Sequence, residues 1–271
     1  MKRRWRSWLG IALSALPSVP ITPHGVIALF NGKDLSAFTT WLPAYGHDDP
    51  HHVFTVMEAL EGAPAIRISG EDFGGLITRE RYTDYRLVAE YRWGTQTWGR
   101  RQHAARDSGI LLHCQGEDGS GARDFHGTWL RSIEFQIIEG GTGDLLLVGG
   151  YVRGSTVPLF PSVVTTVTPG TKRWNPAGGS ARFSNARIDW LHRDPQWKDV
   201  TGFRGRDDLE RPLGQWNHLE AVCAGGHLAY FVNGTRANEA TDCSLREGRL
   251  LVQSEGAEIF FRRIELRPLT D

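Results

Sequence analysis

Cysteine is scarce in this sequence. Three residues, Cys114, Cys223 and Cys243, stand among 271, so at most one disulfide can form and no disulfide scaffold holds the fold. Cys223 alternates with Ala221 and Leu219 on an apolar face, which predicts a buried thiol; a Cys223–Cys243 bridge is the alternative. Net charge is absent as well. The 31 Lys and Arg residues balance 31 Asp and Glu, and no basic stripe of the kind needed for nucleic acid or an anionic membrane is present. Beyond the first 22 residues no apolar run approaches the length of a membrane helix, so residues 23–271 are not expected to insert stably in a membrane. Long amphipathic helices, internal repeats and domain linkers are missing too. None of the G-x-S-x-G, H-E-x-x-H, P-loop or Rossmann glycine patterns occurs, which leaves serine-hydrolase, zincin and nucleotide chemistry without support.

What is present begins with an export signal. Lys2, Arg3, Arg4 and Arg6 precede a short apolar stretch from Trp8 to Leu16, the layout of a secretory signal peptide. We expect a signal peptide over 1–22, a single domain over 23–271, and a destination in the periplasm or outside the cell. An uncleaved anchor is the other option, because Pro17 and Pro20 blur the cleavage point.

From residue 26 the chain is a succession of short segments rich in β-branched and aromatic residues, separated by Gly, Pro and Asn. "GLITR" (75–79), "DYRLVAEYRW" (84–93), "SGILLHC" (108–114), "SIEFQII" (132–138), "NHLEAVCA" (217–224), "HLAYFVN" (227–233), "RLLVQSE" (249–255) and "EIFFRRIEL" (258–266) each read as strands. Ala224-Gly225-Gly226 and Asn233-Gly234 read as hairpin turns between consecutive strands. So many strands predict an all-β fold of two packed antiparallel sheets. Residues 94–107 and 154–184 read as long loops, the usual carriers of function on a rigid frame.

Alternation along "SIEFQII" puts Ile133, Phe135 and Ile137 on one face and Glu134 and Gln136 on the other. Arg86, Glu90 and Arg92 share a face of their strand, and Gln253 and Glu255 share a face of a late one. If these strands belong to one sheet, they line a concave surface whose carboxylates, amides and guanidinium groups suit sugar hydroxyls, each of which both donates and accepts hydrogen bonds. The competing reading is an ordinary wet sheet face. Asp107, at a strand entry, is either a turn acid or a site acid, and His113 is either a satisfied core histidine or an acid/base group. The run His47, Asp48, Asp49, His51, His52 matches no defined metal spacing.

Six stretches then carry a resemblance. "LFNGKDLSAF" (29–38), "SGILLH" (108–113), "IEFQIIEGG" (133–141), "GQWNHLEAV" (214–222), "FVNGT" (231–235) and "LLVQSEGAEIFFRRIEL" (250–266) occur in the order seen in the 3-keto-disaccharide hydrolase family. The chain resembles that family over roughly residues 26–269. The resemblance implies a concanavalin A-like jelly-roll sandwich, exported by bacteria, acting on glycosides oxidised at C3 of glucose either as a hydrolase or as a lyase and hydratase. It also implies that Glu134 and Gln136 face the site. Two departures are visible: Asp107-Ser108-Gly109 stands where many members have Asn-Ser-Gly, and Gln253-Ser254-Glu255-Gly256 where many have Gln-Asp-His-Gly.

A C3 ketone acidifies the C2 proton, so a positioned base can form an enolate that expels the C1 substituent. We expect Glu134 as the base, His113 as a second acid/base residue, and Arg92 or a bound divalent cation as enolate stabiliser. Gln136, Gln253, Glu255 and Asp107 are expected to bind the carbohydrate, with Glu134 and Glu255 as the acid pair should ordinary glycoside hydrolysis apply. A non-catalytic carbohydrate-binding sandwich is the alternative function.

Overall fold

A computed structural model describes residues 19–121, 127–152 and 155–270. Eleven of the strands, in chain order, are β1 (Ile27–Ala28), β2 (Phe38–Trp41), β3 (Phe54–Leu60), β4 (Ala63–Ile68), β5 (Gly74–Thr78), β6 (Tyr82–Thr83), β7 (Tyr85–Thr97), β8 (Asp107–Gln115), β9 (Arg131–Ile138), β10 (Leu145–Val148) and β11 (Ser162–Val167). The remaining seven are β12 (Gly179–Ser184), β13 (Arg187–Ile188), β14 (Asn217–Ala224), β15 (His227–Val232), β16 (Thr235–Ala240), β17 (Glu247–Ser254) and β18 (Ala257–Arg267). Among the described residues the only helix is a single 3₁₀ turn at Gly99–Gln102.

Two eight-stranded antiparallel sheets form a jelly-roll sandwich. The first runs β16-β15-β14-β7-β18-β4-β3 with β1 beside β18; the second runs β13-β10-β9-β8-β17-β5-β2 with β6 beside β17. The predicted hairpins are present. Ala224 pairs with His227 across Gly225 and Gly226, and Val232 with Thr235 across Asn233 and Gly234. All four turn residues have positive φ, the backbone state of the primed turns whose twist matches that of paired strands.

Between the sheets lies a continuous apolar core. Ile133, Phe135 and Ile137 of β9 enter it, as their alternation requires. Phe135 stacks on Tyr230 of the opposing sheet with ring centres 4.2 Å apart. Cys223 and Cys243 are also buried there and, like Cys114, are free thiols.

One strand departs from strict alternation. His113 has φ of 57°, and pairing on both sides of β8 slips by one residue around it. This is a β-bulge, in which two residues of one strand oppose one of the next. Its effect is to turn His113 inward: Leu112 and His113 both face the other sheet, the imidazole meeting Tyr85 edge-on at 5.6 Å, while Cys114 packs outside with Leu111.

Candidate active site

The outer face of the second sheet carries a cleft of about 690 Å³. Its floor comes from the three adjacent central strands β9, β8 and β17. Glu134 and Gln136 project from β9, Asp107 from the start of β8, Gln253 from β17, and Glu255 from the residue after β17 ends. All five side chains are buried. The alternation read from the sequence therefore serves a recess, which differs from an ordinary wet sheet face in burying its polar groups.

Gly109 makes this packing possible. It sits between Glu134 and Gln253, and a Cβ there would lie 2.6 Å from Gln253 Oε1 and closer still to Glu134 Oε1. Only a residue without a side chain lets the carboxylate and the amide meet over the strand. Gly109→Ala will displace one of the two and lower stability by about 1–3 kcal/mol; an unchanged urea midpoint would refute this account of the glycine.

The acids are arranged around a buried arginine. Arg101, on the 3₁₀ turn, donates from Nη2 to Asp107 Oδ2 and, at 3.0 Å, to Glu255 Oε1. Its Nη1 donates to the Ala105 carbonyl at 3.1 Å and to Asp199 at 3.2 Å. Asp107 accepts a further bond from the Gln136 amide. Asp107 and Glu255 thus meet at a single guanidinium nitrogen.

Two carboxyls this close, out of water, resist ionising together. Burial, then the neighbouring Glu255, push Asp107 well above the ordinary carboxylate range, with Arg101 opposing. Glu255 is raised by burial and held back by Arg101. Glu134 is pushed up to about 8, by burial first and by the charge of Glu255 second; Arg187 and a hydrogen bond from Gln253 act against the shift.

Arg187 gives the cleft a cationic wall. It projects from β13, lines the cleft, and is fixed by its Nε, which donates to Asp144 Oδ2 at 2.7 Å. Its Nη2 has no hydrogen-bond partner. Asp144 in turn is fully buried and also accepts from Arg193 and, at 2.7 Å, from the Trp190 backbone N–H. Lys172 lines the same cleft, whose apolar side is made by Trp129, Leu146, Val148 and Phe160.

Two expected site residues lie elsewhere. His113 is enclosed between the sheets, where its Nδ1 donates to the Leu245 carbonyl at 3.2 Å, and burial pulls its pKa down to about 4. The bulge, by adding one residue to β8, reverses the face that strict alternation assigns to it. Arg92 belongs to β7 in the other sheet, where it pairs with Glu61 at 2.5 Å and lies over the Trp216 and Phe260 rings. The stripe of Arg86, Glu90 and Arg92 thus faces away from the cleft, because β7 and β9 belong to different sheets.

The divalent cation suggested by the chemistry does not fit this donor set. Asp107 and Glu255 direct oxygens to the Arg101 guanidinium, which already supplies positive charge between them. Among the described residues no three His, Cys, Asp or Glu side chains are grouped so as to hold a metal ion. The His47 to His52 run is organised otherwise: Asp49 accepts from the Val53 and Phe54 backbone N–H groups, and His51 meets Asp72 at 2.7 Å.

Fold and site together define a jelly-roll sandwich with a recessed acid cluster, amides and an unpaired guanidinium nitrogen on one sheet face, a donor and acceptor set matched to a polyhydroxylated ligand. The chain belongs to the family of 3-keto-α-glucoside-1,2-lyase-like domains, whose model matches residues 25–267. Among curated proteins none matches it. Solved structures similar to it include a candidate glycosyl hydrolase from Parabacteroides distasonis, with 15% identity over 90% of this chain and 94% of that one and a TM-score of 0.49. A carbohydrate-binding module from Bacillus subtilis is 10% identical, covering 78% and 91% of the two chains with a TM-score of 0.41. A β-glucanase from Bacillus licheniformis is 7% identical over 90% and 98%, with a TM-score of 0.39.

Proposed function

We propose that this protein is an exported carbohydrate-active enzyme that cleaves the C1–O bond of glycosides carrying a ketone at C3. The observation that carries the reading is Glu134: a carboxyl on the floor of a cleft, buried, and held near 8 rather than near its ordinary value. A group so placed is poised between acid and base at neutral pH. Membership of the 3-keto-α-glucoside-1,2-lyase-like family supports a 3-keto-glycoside as the substrate class.

In this mechanism the Glu134 carboxylate removes the proton from C2, and the electron pair of that bond flows into the C3 carbonyl to give an enolate. Arg187, whose Nη2 is without a partner, is the cation placed to stabilise the enolate oxygen. The enolate then re-forms the C3 carbonyl, makes the C1–C2 double bond and breaks the C1–O bond. The departing oxygen takes a proton from the Asp107–Glu255 pair. Addition of water, hydroxyl to C1 and proton to C2, completes a net hydrolysis; release before hydration gives a lyase. Gln136 and Gln253 hold ring hydroxyls, and the Oε1 of Gln253 is an acceptor with no partner of its own.

Incubating the protein with a 3-keto-glucoside and with the matching unoxidised glucoside tests the reading. Aglycone release from the keto substrate alone is expected. Release from the unoxidised glucoside at a comparable rate would point instead to acid/base hydrolysis, and release from neither would reject the enzymatic reading.

A further inference from the structure

Between β13 and β14, residues 189–216 form no strand or helix. Connections longer than about 12–15 residues without secondary structure of their own are commonly functional. The middle of this one, residues 197–202, is tied to the two chain ends that carry the acid floor. Just past β9, Trp197 Nε1 donates to the Glu139 carbonyl and the Gly202 N–H to Glu139 Oε2, both at 2.8 Å. Just ahead of β8, Thr201 Oγ1 donates to the Ala104 carbonyl at 2.8 Å, and Asp199 Oδ1 accepts from the Ala105 N–H at 3.0 Å. These bonds make residues 197–202 a strap across the entry of both strands.

The strap also reaches the acid pair through Arg101. Asp199 Oδ1 and the Ala105 carbonyl take its Nη1, while Asp107 and Glu255 take its Nη2. A guanidinium is planar and rigid, so fixing one nitrogen sets where the other points. Asp199 shares the second cation of the 3₁₀ turn as well: its Oδ2 lies 4.0 Å from Arg100 Nη1, and Arg100 Nη2 lies 3.8 Å from Glu255 Oε1. Each arginine that meets the pair from that turn therefore has Asp199 as a further counterion. The Asp199 side chain is 41% exposed, against 8% for Asp107 and 9% for Glu255, so it stays ionised where they resist doing so. Burial raises both members of the pair and the charge of Arg101 opposes it. The other charges facing them are Glu134 from β9, Arg187 from β13 and Arg193 beyond it.

We propose that Asp199 is a positioning residue for the acid step: it holds Arg101 so that one nitrogen meets both Asp107 and Glu255, and it shares enough of the arginine charge for the pair to keep the proton that the departing oxygen receives. Without it, Arg100 and Arg101 act on the pair alone and stabilise its fully ionised form, which has no proton to give. Use of that proton rests on the elimination reading above, whereas its retention is measurable without substrate.

Asp199→Asn keeps the acceptor oxygen and the shape of the side chain and removes only the charge. Infrared titration of the full chain follows the carbonyl band of its protonated carboxyls across pH, and the part belonging to the pair is the part altered by Asp107→Asn or Glu255→Gln. Its half-protonation point is expected to fall by about one pH unit in Asp199→Asn. It should stay in place in Thr201→Val, which cuts another bond of the strap and leaves every charge as it was. With a 3-keto-glucoside, the falling limb of the pH–rate profile should move down by the same amount while KM is unchanged. A band that does not move in Asp199→Asn, or one that moves as far in Thr201→Val, would overturn the proposal. If the band shifts as expected in a protein that releases no aglycone, the enzymatic reading fails and the hold of Asp199 on the pair stands, so the two failures are distinguishable.

Discussion

Glu134→Gln is expected to lower turnover of a 3-keto-glucoside by about 10²–10⁴-fold, the usual contribution of a positioned general base, while leaving ligand affinity nearly intact. In the wild type the same group should set the pH profile. Its carboxyl is active when ionised and sits near 8, so rate should climb through about pH 8 rather than level off near pH 5. The substitution should also raise stability in alkaline solution. A carboxyl whose pKa is higher folded than unfolded keeps its proton in the native state while the unfolded chain releases it. Stability is therefore lost as pH rises from the ordinary carboxylate value through about 8. Glutamine is free of that loss, which for a fully buried group amounts to a few kcal/mol, on the order of magnitude of the shift itself. Comparing urea unfolding of the two proteins at pH 5 and pH 9 checks the sign. A variant no more stable than the wild type at pH 9, or a pH–rate profile flat from 6 to 9, would remove Glu134 from the role of base.

Arg101→Met should be the most damaging single change to the cleft's architecture. Methionine fills much of the same space but leaves Asp107 and Glu255 without the guanidinium between them. Removing one partner of a buried charged set costs about 3–5 kcal/mol, because the charge left behind has neither water nor a counterion. Here the remaining partners are acids already pushed upward by burial. They escape part of that cost by taking up protons, so the loss should be full at pH 8 and clearly smaller at pH 5. A loss of the same size at both values would mean that Arg101 acts through packing alone.

The sequence made the frame and the polar floor of the cleft legible for a common reason: both follow from local alternation. β9 shows its core side in Ile133, Phe135 and Ile137 and its cleft side in Glu134 and Gln136, and the two hairpins announce themselves through Gly225-Gly226 and Asn233-Gly234. Asp107, Gln253 and Glu255 joined the same recess because β8 lies between β9 and β17. What alternation cannot give is sheet membership. Arg92 looks as suitable as Glu134 along its own strand, yet β7 pairs with β14 and β18 in the other layer. Nor can local pattern find Arg101 and Arg187. Their partners are set by tertiary contact, Arg101 reaching Glu255 across 154 positions of chain, and the only sequence cue, for Arg101, was the long loop read at 94–107. His113 was lost through a single backbone torsion that no pattern of apolar residues announces.

That torsion has a consequence for how β8 tolerates change in length. Ahead of His113, Leu111 faces outward and Leu112 inward; behind it, Cys114 faces outward again. Spelled without His113, the strand keeps perfect two-residue phase, so the histidine behaves as an inserted letter that the sheet absorbs by bulging. A one-residue deletion is normally ruinous to a central strand because every side chain beyond it changes sides. At this position alone on β8 the deletion would return the flanking residues to register with both neighbours, leaving Asp107 and Gly109 beneath the cleft and Cys114 where it already packs.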